Sequence, residues 1–410
     1  MIINFVRWGL VMALAALVSI GCGDSGEAAG TGGQGGANEG AVYAISTTII
    51  SPAGRSSFLS ILRSLRPSPE ELDLGNAYEF AGDGDMWVRN GDLYTTSGES
   101  PTVAKNRVSE AGELIEQDRL SFAAFGVPST AFWANIFVDE TKAYVANGVS
   151  ELIAWDPQVM EITGTVDIPQ PEIRDGLFPT FGSGDRGTVI HDGQVFQTLY
   201  WTDLSFARFD EASQIVVFDI ETDSVVDLID APCPGLAYAT ADEQGNLYFS
   251  PWTGAAGSAL VLGEERTCAV VVDAATHDVT SVLNFAELTE GREGGVMRYV
   301  GNGRFAMSIF HDEDVDLEAA IDDQDPFAIL ATASWRVWTY EAATGDVSVV
   351  DGIESNSGAI YWFDADGMRY ALVPGEDYAS SAVYELADGG ETPTRLFDYP
   401  GWAVRLFRVR

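Results

Sequence analysis

The sequence predicts an all-β fold, a seven-bladed β-propeller closed by pairing of its N- and C-terminal strands. Three observations predict it. First, Ala134 to Asp167 reads as four short β-branched and aromatic runs separated by turn residues, an antiparallel meander of four strands. Second, that phrase returns along the chain, and one such sheet has two apolar faces that it cannot bury alone, so copies must stack. Third, the strand count leaves one lone strand, Trp402 to Val409, at the C-terminus, while the first sheet lacks a strand. Joining the ends completes that sheet and leaves no open edge.

Taken in order, residues 1–21 read as a lipoprotein signal peptide. Arg7 supplies the positive start, and Trp8 to Ile20 is an apolar run too short to span a bilayer. The run ends in Val18-Ser19-Ile20-Gly21-Cys22, which resembles a bacterial lipobox with Cys22 as the acylated residue; Ser19 departs from the usual Leu or Val. An ordinary secretory signal is the alternative. Residues 22–40 form a glycine-rich tether with nothing to bury, a flexible coil of roughly 25 Å mean span.

Residues 41–410 read as a single propeller domain. First-hairpin turns are expected at Asn90-Gly91, Asp139 to Lys142, Asp192-Gly193, Asp242 to Asn246, Gly301 to Arg304 and Asp364 to Gly367. Last-hairpin turns follow at Ser109 to Gly112, Asp156-Pro157, Asp219 to Asp223, Asp273 to His277, Glu341 to Gly345 and Ala387 to Gly390. Third strands such as Ile215 to Phe218, Cys268 to Val272 and Trp335 to Trp338 are apolar on both faces, as expected between stacked sheets. Val42 to Thr47, Phe58 to Leu62 and a strand near Tyr78 read as the strands of the split blade, although Phe58 to Leu65, like Asp316 to Ile321, is also a short helix-like candidate.

With 22 Lys and Arg against 62 Asp and Glu, the formal net charge is −40. A surface this negative repels phosphate backbones, which argues against nucleic-acid binding. After Cys22 two cysteines remain, Cys233 and Cys268, placed on one face of one blade; an oxidising compartment permits a disulfide, and two buried thiols are the alternative. The three histidines, His191, His277 and His311, are too scattered for a catalytic triad. Asp312, Asp314 and Asp316 alternate like the start of a calcium loop, but Leu317 stands where that loop needs glycine and Asp323 where it needs Glu, so a solvated acidic loop is expected and no metal site or cofactor.

The informative insertions are the long loops 168–186, 200–212, 250–267, 311–334 and 374–380, expected together around a funnel on one face of the ring. They carry Arg186, Tyr200, Trp201, Trp252, His311 and Tyr378, aromatic faces with a few polar groups that suit a small ligand. The competing reading has these aromatics packing the loops onto the blades.

The phrases Ala41-Val-Tyr-Ala-Ile-Ser-Thr47, Ser97 to Thr102, Leu120-Ser-Phe122, Phe137 to Tyr144, Ile153 to Pro157 and Glu161 to Gly164 resemble the Mxc-type lipoproteins of myxobacteria, which are similar to Bacteroidetes propeller lipoproteins encoded beside TonB-dependent receptors. The resemblance covers essentially the mature chain and rests on blade-building phrases. It implies iron acquisition: a non-enzymatic, lipid-anchored outer-membrane protein that captures a ferric siderophore and exchanges it with a transporter. A second expectation is an extracellular hydrolase or lyase acting on a sugar or lactone, and a third is a protein-docking scaffold.

Overall fold

The structure, a computed structural model, describes residues 40–51, 54–182, 184–386 and 392–410. The expected signal peptide, Cys22, nearly all of the tether and the turn Ala387 to Gly390 lie outside these residues. Seven antiparallel sheets follow one another around a ring. In chain order the strands are β1 (Tyr43–Ser51), β2 (Gly54–Leu62) and β3 (Tyr78–Ala81); β4 (Met86–Arg89), β5 (Asp92–Thr96), β6 (Thr102–Val108) and β7 (Leu114–Ser121); β8 (Asn135–Phe137), β9 (Ala143–Ala146), β10 (Glu151–Asp156) and β11 (Glu161–Asp167). The fourth sheet holds β12 (Phe178–Phe181), β13 (Thr188–His191), β14 (Gln194–Thr202), β15 (Phe209–Asp219) and β16 (Ser224–Ala231), with β12 and β13 both pairing along β14. The fifth holds β17 (Leu236–Ala241), β18 (Asn246–Pro251), β19 (Cys268–Asp273) and β20 (Val279–Asn284). The last two are β21 (Gly294–Gly301), β22 (Arg304–Phe310), β23 (Trp335–Glu341) and β24 (Val347–Val349), then β25 (Tyr361–Ala365), β26 (Met368–Pro374), β27 (Ser380–Leu386) and β28 (Pro393–Pro400).

The chain's last strand, β29 (Trp402–Arg408), joins the first blade in the order β29-β1-β2-β3. Tyr43 pairs with Arg408 and Thr48 with Trp402, so the two ends of the chain lock the ring as expected. Gly401 makes this entry possible: its φ is +73°, and a Cβ there would stand 2.9 Å from the Thr48 carbonyl oxygen.

Four of the short first-hairpin turns, Asn90-Gly91, Asp192-Gly193, Asn302-Gly303 and Asp366-Gly367, have positive φ at both central residues. That geometry matches the right-handed twist of the flanking strands and explains the recurring Asn/Asp-Gly pairs. The core is divided among the blade-to-blade seams. Trp87, Tyr94, Phe137 and Trp155 fill the seam between the second and third blades, and Tyr361, Tyr399 and Trp402 fill the one beside the closing strand.

Two helix expectations fare differently. Phe58 to Leu65 is not helical: its first part is strand β2, paired to β1 and β3 on both sides. Asp316 does cap a helix, Leu317–Asp323, by accepting from the Ala319 amide at 3.1 Å. A longer helix, Thr253–Leu262, was not expected. Among the described residues no helix is long and apolar enough to cross a membrane.

Candidate functional site

The expected funnel on the long-loop face is filled. Tyr200, Phe209, Trp252, the helix Thr253–Leu262, Phe327 and Trp335 share one buried cluster that caps this side of the ring. Tyr200 and Trp252 therefore come together, but as packing. Trp201 points instead into the seam between the third and fourth blades, with the Arg174 guanidinium 3.4 Å over its ring and its indole donating to the Glu172 carbonyl at 2.6 Å. His311 is buried; its Nδ1–H donates to Glu313 at 2.9 Å, its Nε2 accepts from the Trp338 indole at 3.1 Å, and burial holds it below the usual imidazole range. The neighbouring acids are bound by Arg292 and Arg336, so the run is an ion-paired loop. Tyr378 donates to the Leu330 carbonyl at 3.0 Å and packs on Trp402 at 4.8 Å. These six residues do not form one site. Among the described residues no group of three His, Cys, Asp or Glu side chains is placed to hold a metal ion.

Arg186, expected to face the funnel from a loop, is buried inside instead. Only 1% exposed, it sits 3.8 Å over the Tyr361 ring, donates from Nη2 to the Val404 carbonyl at 3.2 Å, and is pulled down to about 9 by burial. Beside it lies an ion cluster that sequence reasoning missed. Arg405 of β29 donates through Nε to both oxygens of Asp85 at 3.0 Å, and through Nη1 and Nη2 to Asp185 at 2.9 and 3.1 Å. The Trp87 indole completes Asp185 at 3.0 Å, and its ring lies 4.4 Å under the Arg405 guanidinium. Burial pushes the Asp85 carboxyl up to about 6 against the opposing charge of Arg405.

An open cavity lies on the opposite face, where first-hairpin turns meet. It is a basin of about 440 Å³ with Asp185 in its lining. Arg89 at the end of β4, Arg298 in β21 and Arg369 in β26 line it, together with His191 at the end of β13. Carboxylates alternate with these cations. Asp364 accepts from Arg369 Nε and Nη2 at 2.7 and 3.2 Å, while Arg369 Nη1 reaches the Tyr299 carbonyl at 3.1 Å. Asp242 fixes its own turn by accepting from the Gln244 and Asn246 amides at 2.9 Å. Glu243 accepts from the Asn302 amide of the next blade at 3.0 Å, and hydrogen bonding, from Tyr299 first, holds it below the usual range. His191 lies against Gly245, where a Cβ would stand 3.0 Å from its Cε1. The signal for this site was present in the sequence: in a chain poor in bases, arginines stand beside first-hairpin turns.

No family model and no curated protein matches this chain. Among solved structures it is similar to the periplasmic gluconolactonase of Pseudomonas aeruginosa, at 10% identity and TM-score 0.53, covering 90% of this chain and 99% of that one. It is also similar to a candidate 6-phosphogluconolactonase of Bacteroides fragilis, at 12% identity and TM-score 0.50, covering 91% and 99%. At such identities the likeness shows the propeller fold. It also corrects the expectation of a non-enzymatic protein, because propellers of this architecture are described as lactonases and the fold gives no ground for denying catalysis.

The cysteines do pair. Cys233 and Cys268 form a disulfide with Cα atoms 5.5 Å apart, joining the loop before β17 to the start of β19.

Proposed function

We propose that the basin binds a small polyhydroxylated acid or its lactone and opens the lactone by hydrolysis. The observation that carries this reading is the alternation of guanidinium donors (Arg89, Arg298, Arg369) with carboxylate acceptors around one basin. Sugar hydroxyls both donate and accept, so they need that mixture, and a ring-opened acid adds a carboxylate for the arginines. The similar structures support the fold for such chemistry, not the substrate. His191 is the imidazole of the basin. It takes the proton from a water whose oxygen attacks the lactone carbonyl, an arginine stabilises the oxyanion, and the ring C–O bond then breaks with the proton passing to the leaving alkoxide.

The test is proton release by the purified protein on aldono-δ-lactones, with calorimetry on the product acids. Expected are acid binding and lactone opening above the spontaneous rate, with His191→Ala lowering kcat roughly 100-fold while still binding the acid. Neither binding nor opening at millimolar lactone or acid would sink the reading.

A second reading keeps the ferric siderophore, exchanged with a TonB-dependent outer-membrane receptor by a protein lipid-anchored through Cys22. The three basin arginines favour its anionic oxygens, but the aromatic platform expected for its rings is buried elsewhere. Quenching of tryptophan fluorescence by ferric catecholates or hydroxamates, and not by lactone-derived acids, selects this reading over the first.

A further inference from the structure

The three arginines of the basin are not equally engaged. Arg369 is held by its own surroundings: Asp364 accepts from two of its nitrogens and the Tyr299 carbonyl from the third. Arg298 sends Nη1 to the Ala239 carbonyl at 3.4 Å and makes further interactions. Arg89 differs from both. It is half-buried at the end of β4, and its Nη1 turns back to the Val88 carbonyl at 2.9 Å. Its guanidinium lies 5.8 Å from the centre of the Phe137 ring. Among the described residues no carboxylate pairs with it, although the chain carries 62 acids. Arginines elsewhere in the domain do meet acids, as Arg304 meets Glu341 and Arg395 meets Asp398.

What Arg89 leaves open is the Nε and Nη2 edge, the fork that matches the two oxygens of a carboxylate side on. Its place in the ring gives that fork a meaning. Arg89 belongs to the second blade and His191 to the fourth, and Ile136 and Phe137 of the third line the basin between them. An anion at Arg89 is thereby set apart from the imidazole by an apolar strip, against which the carbon chain of a sugar acid can lie.

We propose that Arg89 is a specificity-determining residue that selects substrates with a second carboxylate, at the end of the carbon chain remote from the lactone carbonyl. Such a substrate is the monolactone of an aldaric acid, opened by water to the dicarboxylate. The inference rests on the lactone reading above and narrows it. A neutral aldonolactone has nothing ionised to offer Arg89 until its ring is open. The monolactone of a diacid is anchored before and after the reaction, and its remote carboxylate takes no part in the bond that breaks. A carboxylate suits the place better than a phosphate ester. Arg89 supplies one positive charge, while Asp185, Asp242, Glu243 and Asp364 line the same basin. A phosphate group brings about −1.5 to −2 charges at pH 7, more than that one guanidinium offsets.

Calorimetry on the intact protein with D-glucarate, D-gluconate and 6-phospho-D-gluconate is the test. D-glucarate is expected to bind about tenfold more tightly than D-gluconate, the size of one added hydrogen-bonded contact to a charge. The phosphate ester is expected to bind no more tightly than D-glucarate. Arg89→Gln brings the ratio of the two unphosphorylated acids to about one, and Arg89→Lys, which keeps the charge and loses the fork, restores part of it. Equal binding of D-glucarate and D-gluconate by the wild type overturns the role of Arg89 and leaves the lactone reading standing. So does a ratio that survives Arg89→Gln, or tightest binding by the phosphate ester. Binding of none of the three acids overturns both.

Discussion

Arg405 shows how much one side chain does at the axis of this molecule. It satisfies two buried carboxylates from two other blades, and both it and Asp85 are essentially without solvent. Removing one partner of such a cluster strands the others in low dielectric, so Arg405→Met is expected to cost about 3–5 kcal/mol of stability, read from denaturant unfolding. The pH dependence has a definite sign. Asp85 binds its proton more tightly folded than unfolded, so its contribution to stability is full below pH of about 4, is lost as pH rises through about 6, and is level above. Without Arg405 the carboxyl midpoint moves higher still, and the variant goes on losing stability above pH 6 where the wild type has levelled. A variant that levels at the same pH as the wild type contradicts the assignment. None of this was legible in the sequence. Arg405 is 320 residues from Asp85 and 220 from Asp185, and no local pattern records a contact made across the centre of a ring.

At the scale of elements, the hairpins were legible and the loops were not. Turn residues such as Asp-Gly and strands alternating every second residue are local signals that packing reinforces. Phe58, Ile61, Leu62 and Leu65 fall at helical spacing, but β1 and β3 offer hydrogen bonds on both sides, and the sheet wins. The helix Thr253–Leu262 was hidden for the opposite reason. Its two glycines argue against a helix, yet Gly257 lies so close to Pro326 that a Cβ would stand 2.6 Å from the Pro326 carbonyl oxygen. The helix exists because it is buried, and the aromatics that looked like a ligand platform are what bury it. The disulfide in the same blade closes a loop of 35 residues. In the chain-entropy account such a link stabilises by roughly 3–4 kcal/mol, so Cys233→Ser with Cys268→Ser is expected to lower Tm, while reductant lowers the wild-type Tm and leaves the double variant unmoved. Equal melting of the two proteins in non-reducing buffer counts against a stabilising bridge.

For the whole molecule, charge and attachment belong together. A domain this acidic is repelled by anionic headgroups, so membrane association needs an anchor whose buried methylenes contribute about 0.8 kcal/mol each. If Cys22 is acylated, wild type partitions with membranes and Cys22→Ser is released as a soluble, folded propeller, because every blade is built from residues after Gly40. Retention of the serine variant in the membrane pellet refutes the lipid anchor.

The position of β29 has a consequence in time. A ribosome delivers this strand last, and with it the arginine that neutralises Asp85 and Asp185. Until then six blades and part of a seventh stand as an open arc, with an unpaired edge on β1 and two carboxylates awaiting their cation. Nascent chain therefore stays unclosed until β29 has been delivered. The arrival of that one strand converts the arc into a ring.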